Sequence, residues 1–432
     1  MVLRMERLIL KLKNDQRLRN SLWMLIEKSI SLFGLIFIVS AVAKYTGPDI
    51  YGEIALAASI FIVAKTIAQL GLDQVYFKYV SENKPYFDIF YRNAVKFISV
   101  IYFIIFLLVF LGAFFYASET GLYFILATGF AYYFNSIDLV NFFNEAKLVS
   151  KINVLANIAG LVIALGIRYF VVAMKLDVLY LCIPIIVMTV IPFFIKFQVY
   201  RKLYSKNSRR YEKLKLLKYI SFFISAGIPL TFSILTVTFN SQIANYFLAY
   251  FGGTQKVAIY SVAFTLAGAW CIAPTTIIMS YLTTIYAEKD NKEYLDQARN
   301  LFLVILFMSL TIIVVLFFIA DYVINFLYGM EYFEAIKIFK ILLLYQLFWV
   351  IGFYFSRLIV KFNGYTFLAY KSIIVCILNL ILAFYFIKEF GVIGAAYSVL
   401  IVEVISAFLI NLFYQKANLL NVILFFRKKH ET

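Results

Sequence analysis

The feature that most constrains this chain is a succession of long apolar runs between about residue 22 and residue 413. A run of about 20 apolar residues crosses the roughly 30 Å hydrocarbon core of a bilayer as a helix. Within lipid, backbone amides and carbonyls must bond to one another, which a helix achieves inside a single run. With 64% hydrophobic and 15% charged residues, the chain could not hide its apolar surface in a soluble fold. The sequence therefore predicts an all-α polytopic membrane protein.

The apolar runs divide into about twelve predicted transmembrane helices. They lie near residues 22–43, 53–71, 94–116, 122–143, 152–173, 178–199, 219–249, 257–284, 301–320, 338–360, 366–387 and 392–413. The longest polar break, Arg201–Lys218, separates the first six spans from the last six. This division predicts an N-terminal six-helix bundle over 1–200, a basic cytoplasmic linker over 201–218, and a C-terminal six-helix bundle with a cytoplasmic tail over 219–432.

An internal echo supports two related halves. Tyr45-x-Gly47 follows the first predicted span, and Tyr250-x-Gly252 follows the seventh, at an offset of about 205 residues. Repeats with the same membrane orientation are related by an axis along the membrane normal, an arrangement found in alternating-access transporters. The echo therefore predicts two six-helix bundles that form a parallel pseudo-repeat.

Lysine and arginine set the predicted orientation. With the N-terminus inside the cell, most of them fall in loops and tails on the cytoplasmic side. This bias follows the positive-inside rule and accounts for much of the formal net charge of +17 without a nucleic-acid partner. Both termini are predicted to be cytoplasmic.

The sequence lacks the residue patterns that catalysis or cofactor binding usually requires. The single histidine, His430, lies in the C-terminal tail, and the three cysteines have no metal or disulfide spacing. No G-x-x-x-x-G-K-[ST] phosphate loop occurs, and the connecting loops are too short for a catalytic domain. We therefore expect neither enzyme activity nor a metal or other cofactor, and we expect any energy input to come from a proton or sodium gradient.

The predicted spans carry charges that lipid disfavours. An ionisable residue inside a span costs several kcal/mol and indicates a functional site. Of these residues, Lys28, Lys65, Arg357 and Lys371 fall in the predicted cytoplasmic half, where they could form a ring of cations around a cavity. The alternative for each is that the ammonium or guanidinium reaches the headgroups along its apolar stem. The charges are Glu27, Lys28, Lys65, Asp138, Arg357, Lys371 and Glu403.

The three acidic residues allow two interpretations. Glu403 lies about ten residues into the last predicted span, roughly 15 Å deep, where a short carboxylate cannot reach bulk water. It is either a site that couples transport to an ion gradient or one partner of a structural helix–helix pair. Glu27 and Asp138 carry the same two interpretations.

The seventh predicted span has a polar stripe that includes Asn240 and Asn245. Polar side chains at these positions either contact sugar from the wall of a lumen or hydrogen-bond a neighbouring helix. Both interpretations stand on the sequence alone.

Three motifs near the N-terminus resemble the signature of one transporter family. They are W-x-x-x-E-K from Trp23, A-K-Y-x-G-P-x-x-Y-G from Ala43, and L-G-L-D from Leu70. Together they are similar to the N-terminal pattern of Wzx-type polysaccharide and O-antigen flippases, in the multidrug/oligosaccharidyl-lipid/polysaccharide exporter superfamily. Asn245 stands where this family often has an aspartate, so the charge is not carried over.

The resemblance implies a specific function. Such flippases move undecaprenyl-pyrophosphate-linked oligosaccharides from the cytoplasmic to the periplasmic leaflet of the bacterial inner membrane, for O-antigen, capsule or a related polysaccharide. The implied partners are this lipid-linked substrate, the bilayer, and the polysaccharide polymerase with its chain-length machinery. Lys28, Lys65, Arg357, Lys371, Asn240 and Asn245 would contact the pyrophosphate and sugars.

Two other functions remain as alternatives. A drug/cation antiporter of the same superfamily would require acidic residues and few cations in its lumen. A membrane polysaccharide polymerase would require a large external loop with charged active-site residues, and the predicted external loops are short.

Overall fold

The structure, a computed structural model, describes residues 34–83, 87–204 and 216–414, together with residues 23, 27, 30, 31, 419 and 422. These residues are almost entirely helical, and no strand occurs among them. The all-α fold predicted from the apolar runs is therefore confirmed.

We number the longer helices in chain order. They are α1 (Ser40–Gln69), α2 (Leu72–Ser81), α3 (Phe87–Tyr116), α4 (Glu119–Ile137), α5 (Val140–Ala146), α6 (Lys151–Ala173), α7 (Cys182–Tyr204), α8 (Leu216–Gly268), α9 (Ile272–Ala287), α10 (Asn291–Tyr328), α11 (Glu334–Lys361) and α12 (Tyr365–Val404). A π-helical turn, Leu35–Val39, precedes α1, and another, Ile405–Ile410, follows α12. A 3₁₀ turn, Val178–Leu181, leads into α7.

Three of these helices contain a glycine bend. Gly47 in α1 has φ 72° and ψ 172°, Gly253 in α8 has φ 77° and ψ −179°, and Gly391 in α12 has φ 58° and ψ −133°. Positive φ with extended ψ is essentially restricted to glycine, because a Cβ would clash with the backbone. Gly47 and Gly253 share the same conformation, so the structural echo pairs Gly47 with Gly253 rather than with the predicted Gly252.

Each bend divides one long helix into two segments, which explains why there are fewer membrane-length helices than predicted spans. Among the described residues, eight helical stretches are long and apolar enough to cross a membrane. Three of these stretches contain the bends, and α4 is a further apolar helix that was predicted as the fourth span. Part of the first predicted span lies outside the described residues, and each of the others corresponds to one apolar helical segment. The chain is a multi-pass membrane protein.

Contacts divide the chain into two compact units, Met1–Thr238 (unit 1) and Phe239–Thr432 (unit 2). The division falls inside α8, about 20 residues after the polar break used for the predicted domains. Phe223, near the start of α8, is fully buried in unit 1, with ring centroids 5.1 Å from Phe90 and 5.7 Å from Phe97. Aromatic packing therefore attaches the first part of α8 to unit 1, while the predicted linker and its boundaries remain a prediction.

The signature motifs of the N-terminal region form turns and helix contacts in unit 1. The Tyr45 hydroxyl donates to the Leu176 carbonyl (2.7 Å), which ties the start of α1 to the loop between α6 and α7. Leu70 and Gly71 both adopt left-handed conformations, with φ of 47° and 63°, and separate α1 from α2. The L-G-L-D motif is therefore a helix break whose aspartate lies in the first turn of the next helix.

In unit 2, α11 is the most enclosed long helix of the described part. Buried side chains recur along its length, including Leu342, Val350 and Phe355. The Tyr354 hydroxyl donates to the Ala298 carbonyl of α10 (2.8 Å). Buried apolar contacts and this hydrogen bond fix α11 against α10, which leaves few positions for charge in the core of unit 2.

Candidate functional site

Unit 1 contains a polar cavity of about 200 Å³ among helices that are otherwise apolar. Side chains from α1, from the α4–α5 region, and from α6 and α7 meet there. They are Lys65, Asn135, Asp138, Asn141, Phe142, Asn157, Met188, Thr189, Pro192 and Lys196. A water molecule occupies about 30 Å³ of liquid, so the cavity has room for several waters or a small anion.

A buried ion pair forms one wall of this cavity. The Lys196 ammonium donates to Oδ2 of Asp138, and the two side chains are only 4% and 13% exposed. Asp138 follows directly after α4 with φ −75° and ψ 59°, so the chain turns away from the helix at this residue. Burial of both charges requires the pair, because either charge alone would be strongly destabilising.

The close approach of α6 and α7 positions Lys196. A Cβ placed on Gly160 of α6 would lie 2.6 Å from the Pro192 ring of α7, so only glycine fits at this contact. Lys196 lies one turn after Pro192 and reaches the same cavity. Its ammonium also donates to Oδ1 of Asn157 (3.3 Å) on α6.

Lys65 of α1 is the second cation in the cavity wall. Its ammonium donates to Oδ1 of Asn135 (2.5 Å), a neutral amide oxygen at the end of α4. It also interacts electrostatically with the carboxylates of Asp73 and Asp138, and is repelled by Lys196. Lys65 thus lies close to a carboxylate that is already hydrogen-bonded to another lysine.

A second cavity, of about 160 Å³, shares Asn141 and Asn157 with the first. Its wall contains the carboxylates of Glu27 and Glu145. Asn157 donates to Glu27 (2.7 Å), and Asn141 donates to Glu145 (2.7 Å). Asn157 therefore links Glu27 to Lys196 and Asp138 through one continuous hydrogen-bond network.

The electrostatic environment of Glu145 reflects this enclosure. Burial raises the pKa of the Glu145 carboxyl above its ordinary value, and the hydrogen bond from Asn141 partly offsets that effect. The nearby charge of Glu27 acts in the same direction as burial. Two enclosed carboxylates close together bind a proton or another cation more readily than a single exposed carboxylate does.

The W-x-x-x-E-K motif supplies the Glu27 wall. Trp23 and Glu27 are four residues apart, so in a helix they share one face. The Lys151 ammonium lies 5.5 Å from the centre of the Trp23 ring, and Asn157 binds Glu27. Both contacts are with α6, and they place Trp23 and Glu27 against that helix.

In unit 2 the predicted charges are separated into different contacts. The Lys371 ammonium is buried and donates to Oδ1 of Asn411 (2.8 Å). Glu403 interacts electrostatically with Lys371. A Cβ on Gly352 would lie 2.9 Å from Oε1 of Glu403, so α11 passes close to this carboxylate.

The other predicted residues of unit 2 also have local partners. The Arg357 guanidinium lies over the Phe353 ring, 4.6 Å from its centre. Asn240 accepts a hydrogen bond from Asn379 on α12 (2.9 Å), which is the interhelical contact foreseen as one of its two alternatives. Asn245 donates to Gln242 one turn earlier (3.1 Å).

The structure brings together three predicted residues, Glu27, Lys65 and Asp138, in the two joined cavities. Lys28 lies outside the described residues, and the roles of all the predicted site residues remain predictions. Sequence reasoning did not include Lys196 among the charges inside the predicted spans. Its position inside the predicted span 178–199 was the available signal.

Comparison with known proteins shows where this arrangement belongs. A family model described as polysaccharide biosynthesis protein matches residues 17–286, which is more than half of the chain. The capsular polysaccharide biosynthesis protein CapF of Staphylococcus aureus is 24% identical over 193 residues, which are 44% of this chain and 48% of that protein. The chain thus aligns with about half the length of this relative.

Solved structures share the fold at low sequence identity. The lipid II flippase MurJ, in an inward closed conformation, has a TM-score of 0.72 at 16% identity, with 94% of this chain and 91% of that chain covered. An inward-facing multidrug resistance MATE family transporter of the MOP superfamily has a TM-score of 0.54 at 13% identity, with 92% and 95% covered. The fold is therefore the one that these transporters share.

The residues of the family match include both cavities of unit 1 and the three N-terminal motifs. The resemblance inferred from those motifs is confirmed. The chain belongs to the polysaccharide biosynthesis protein family and has the fold of the MOP-superfamily transporters.

Proposed function

We propose that this protein is a flippase for undecaprenyl-pyrophosphate-linked oligosaccharide units of O-antigen, capsule or a related surface polysaccharide. It moves the units from the cytoplasmic to the periplasmic leaflet of the bacterial inner membrane by alternating access. The lipid tail remains in the bilayer while the charged head crosses. The oligosaccharide then becomes available to a polymerase and its chain-length machinery.

One observation carries the proposal: Lys65 and Lys196 line a single polar cavity inside unit 1. A pyrophosphate carries about two negative charges at its head, and ammonium groups bind phosphate oxygens through charge-assisted hydrogen bonds. In a site screened from water these bonds are stronger than at a protein surface. The amides of Asn135, Asn141 and Asn157 in the same wall supply donors and acceptors of the kind that sugars require.

The predicted orientation agrees with loading from the cytoplasm. Lys65 lies toward the end of α1 that is distant from the Gly47 bend, and that bend is in a predicted external loop. Asp138, just after α4, lies in the same cavity as Lys65. We infer that the cavity is in the cytoplasmic half of the protein, where undecaprenyl-linked substrates are assembled. Lys28, Arg357, Lys371, Asn240 and Asn245 remain proposed contacts to the same substrate.

The drug/cation antiporter is the less favoured function. A lumen that attracts cationic drugs would have few lysines, whereas two lysines line the larger polar cavity of unit 1. The family match to polysaccharide biosynthesis proteins also favours a sugar-linked substrate. We propose that the acidic residues, including Glu27 and Glu403, serve coupling to a proton or sodium gradient.

The test is deletion of the gene in its host, with separate measurement of lipid-linked oligosaccharide in the two leaflets. The flippase predicts that complete units accumulate on the cytoplasmic leaflet and that surface polysaccharide is lost. Wild-type protein and the Lys78→Ala variant, whose lysine side chain is 76% exposed, should restore both. Periplasmic units that never grow into polymer would indicate a polymerase instead. Normal polysaccharide with new drug sensitivity would indicate an antiporter.

A further inference from the structure

We propose that Asp138 is a resident counter-ion that holds the place of the substrate phosphate between Lys65 and Lys196. The proposal rests on the flippase function and concerns how its cavity binds and releases an anion. In the absence of substrate, the carboxylate of Asp138 binds Lys196 and attracts Lys65. When the pyrophosphate enters, its oxygens replace the carboxylate as the partner of the lysines.

The composition of the cavity wall is the first step. Two of its residues are lysines, and Asp138 is the single acidic residue among those that line it. The other polar groups of the wall are amides and one hydroxyl, which carry no charge. The wall of the larger cavity therefore has one more positive than negative charge. Such a wall attracts an anion even while Asp138 is paired.

The two lysines have unequal partners, which is the second step. Lys196 is bound directly to the carboxylate, whereas Lys65 is hydrogen-bonded to the neutral oxygen of Asn135. Lys65 can thus give its Asn135 contact to a phosphate oxygen without breaking an ion pair. Binding of a pyrophosphate to Lys65 therefore costs less energy than binding to Lys196, which is already paired with Asp138.

The third step is the position of Asp138 in the chain. The residue lies between α4, which ends at Ile137, and α5, which begins at Val140. Its backbone is already non-helical, so the side chain can turn away from Lys196 without unwinding either helix. Because carboxylate and phosphate oxygens offer the same kind of acceptor to an ammonium group, the exchange conserves the contact.

A counter-ion also accounts for release. Lys196 is buried and Lys65 is half-buried, so without a neighbouring acid their two positive charges would be destabilising in the empty cavity and would hold a pyrophosphate too firmly to let it go. Competition by Asp138 lowers the affinity and stabilises the empty state. A transporter needs both effects, since it must unload its substrate on the far side of the membrane.

The test measures binding of inorganic pyrophosphate to the purified full-length protein by isothermal titration calorimetry. In Asp138→Asn the competing charge is lost at nearly constant shape. Loss of a charge that competes for the lysines should raise the affinity by about tenfold or more. The control is Asp88→Asn, which removes another buried carboxylate of unit 1 that is outside both cavities and should leave affinity unchanged.

Removal of one partner from a buried pair can also prevent folding. The comparison is therefore repeated in a Lys196→Gln background, where no lysine remains bound to the carboxylate. There, addition of Asp138→Asn should still tighten pyrophosphate binding, because Lys65 loses its competitor. Pyrophosphate should also raise the Tm of each tighter-binding variant by more than it raises the Tm of its parent.

The outcomes separate this inference from the flippase function. Tighter binding after loss of Asp138, in either background, supports the counter-ion. Equal or weaker binding overturns it but leaves the flippase in place if the wild-type protein binds pyrophosphate. If no variant binds pyrophosphate, the counter-ion is also overturned, and the leaflet measurement alone decides whether the protein is a flippase.

Discussion

The Lys196 ammonium and the Asp138 carboxylate form an ion pair inside unit 1, across 58 residues of sequence. Each residue by itself is a charge near the end of an apolar helix, where an unpaired charge is energetically unfavourable. Together they are a nearly enclosed pair beside a cavity that also contains Lys65. The pair is the structural centre of the candidate site.

Loss of one partner of this pair should reduce stability. In Lys196→Met the Asp138 carboxylate is left buried without its cation, a change that typically lowers the free energy of unfolding by about 3–5 kcal/mol. The double variant Lys196→Met with Asp138→Leu should regain much of that loss, since it leaves no unpaired charge. Thermal unfolding in detergent measures both. A double variant less stable than the single one would show that the pair is not the cause.

Loss of Lys65 should lower transport more than it lowers the stability of the protein. Lys65→Ala removes a cavity cation whose direct contact is a neutral amide, so we expect lower transport at unchanged membrane levels. Lys28→Ala is predicted from the sequence to behave in the same way. Leaflet measurement of lipid-linked oligosaccharide gives the result, with Lys78→Ala as the exposed-lysine control. Wild-type transport in both variants would eliminate the proposed role of these lysines.

The glycine bends give a prediction about backbone strain alone. A Cβ on Gly253 would meet no atom within 4 Å, yet its φ of 77° strains any other residue. Gly253→Ala should therefore destabilise unit 2 by about 1–3 kcal/mol. Gly166→Ala is a matched control, because it is equally open and lies in the regular helix α6. A Tm for Gly253→Ala equal to that of the control would mean that the bend is not strained.

Glu403→Gln distinguishes the two interpretations of that carboxylate. A coupling residue should lose the dependence of transport on the proton or sodium gradient while the protein stays folded. If Glu403 is instead a structural partner of Lys371, the variant protein should be less stable, because the neutral amide no longer offers the buried Lys371 ammonium a negative charge. Transport in proteoliposomes with and without each gradient is compared with the Tm. Unchanged gradient dependence would assign Glu403 to structure.

Membrane topology can be tested with single cysteines in a protein whose own three cysteines are replaced. Glu119 and Lys292 are both exposed at helix starts, those of α4 and α10. The predicted orientation places a cysteine at position 119 outside and one at position 292 inside. An impermeant thiol reagent added to intact spheroplasts should label only the first. The reverse pattern would overturn the orientation on which cytoplasmic loading depends.

The sequence by itself determined the helical fold, the number of apolar segments and the family. These properties depend on local information: the length of each apolar run, the spacing of glycines, and short motifs whose residues act within one turn. Gly47, for example, lies at a bend whose backbone conformation requires glycine whatever the neighbouring structure is. The same reasoning identified Glu27, Lys65 and Asp138 as charges that needed partners.

Only the tertiary structure decided which partners they have. The Glu27–Asn157 contact spans 130 residues, and the Lys65–Asn135 contact spans 70. Lys196 was identified only through the ion pair that it forms with Asp138, and Asn240 was found hydrogen-bonded to α12. The energy of a buried charge depends on what surrounds it in space, and that environment is created by helix packing, which a single sequence does not display.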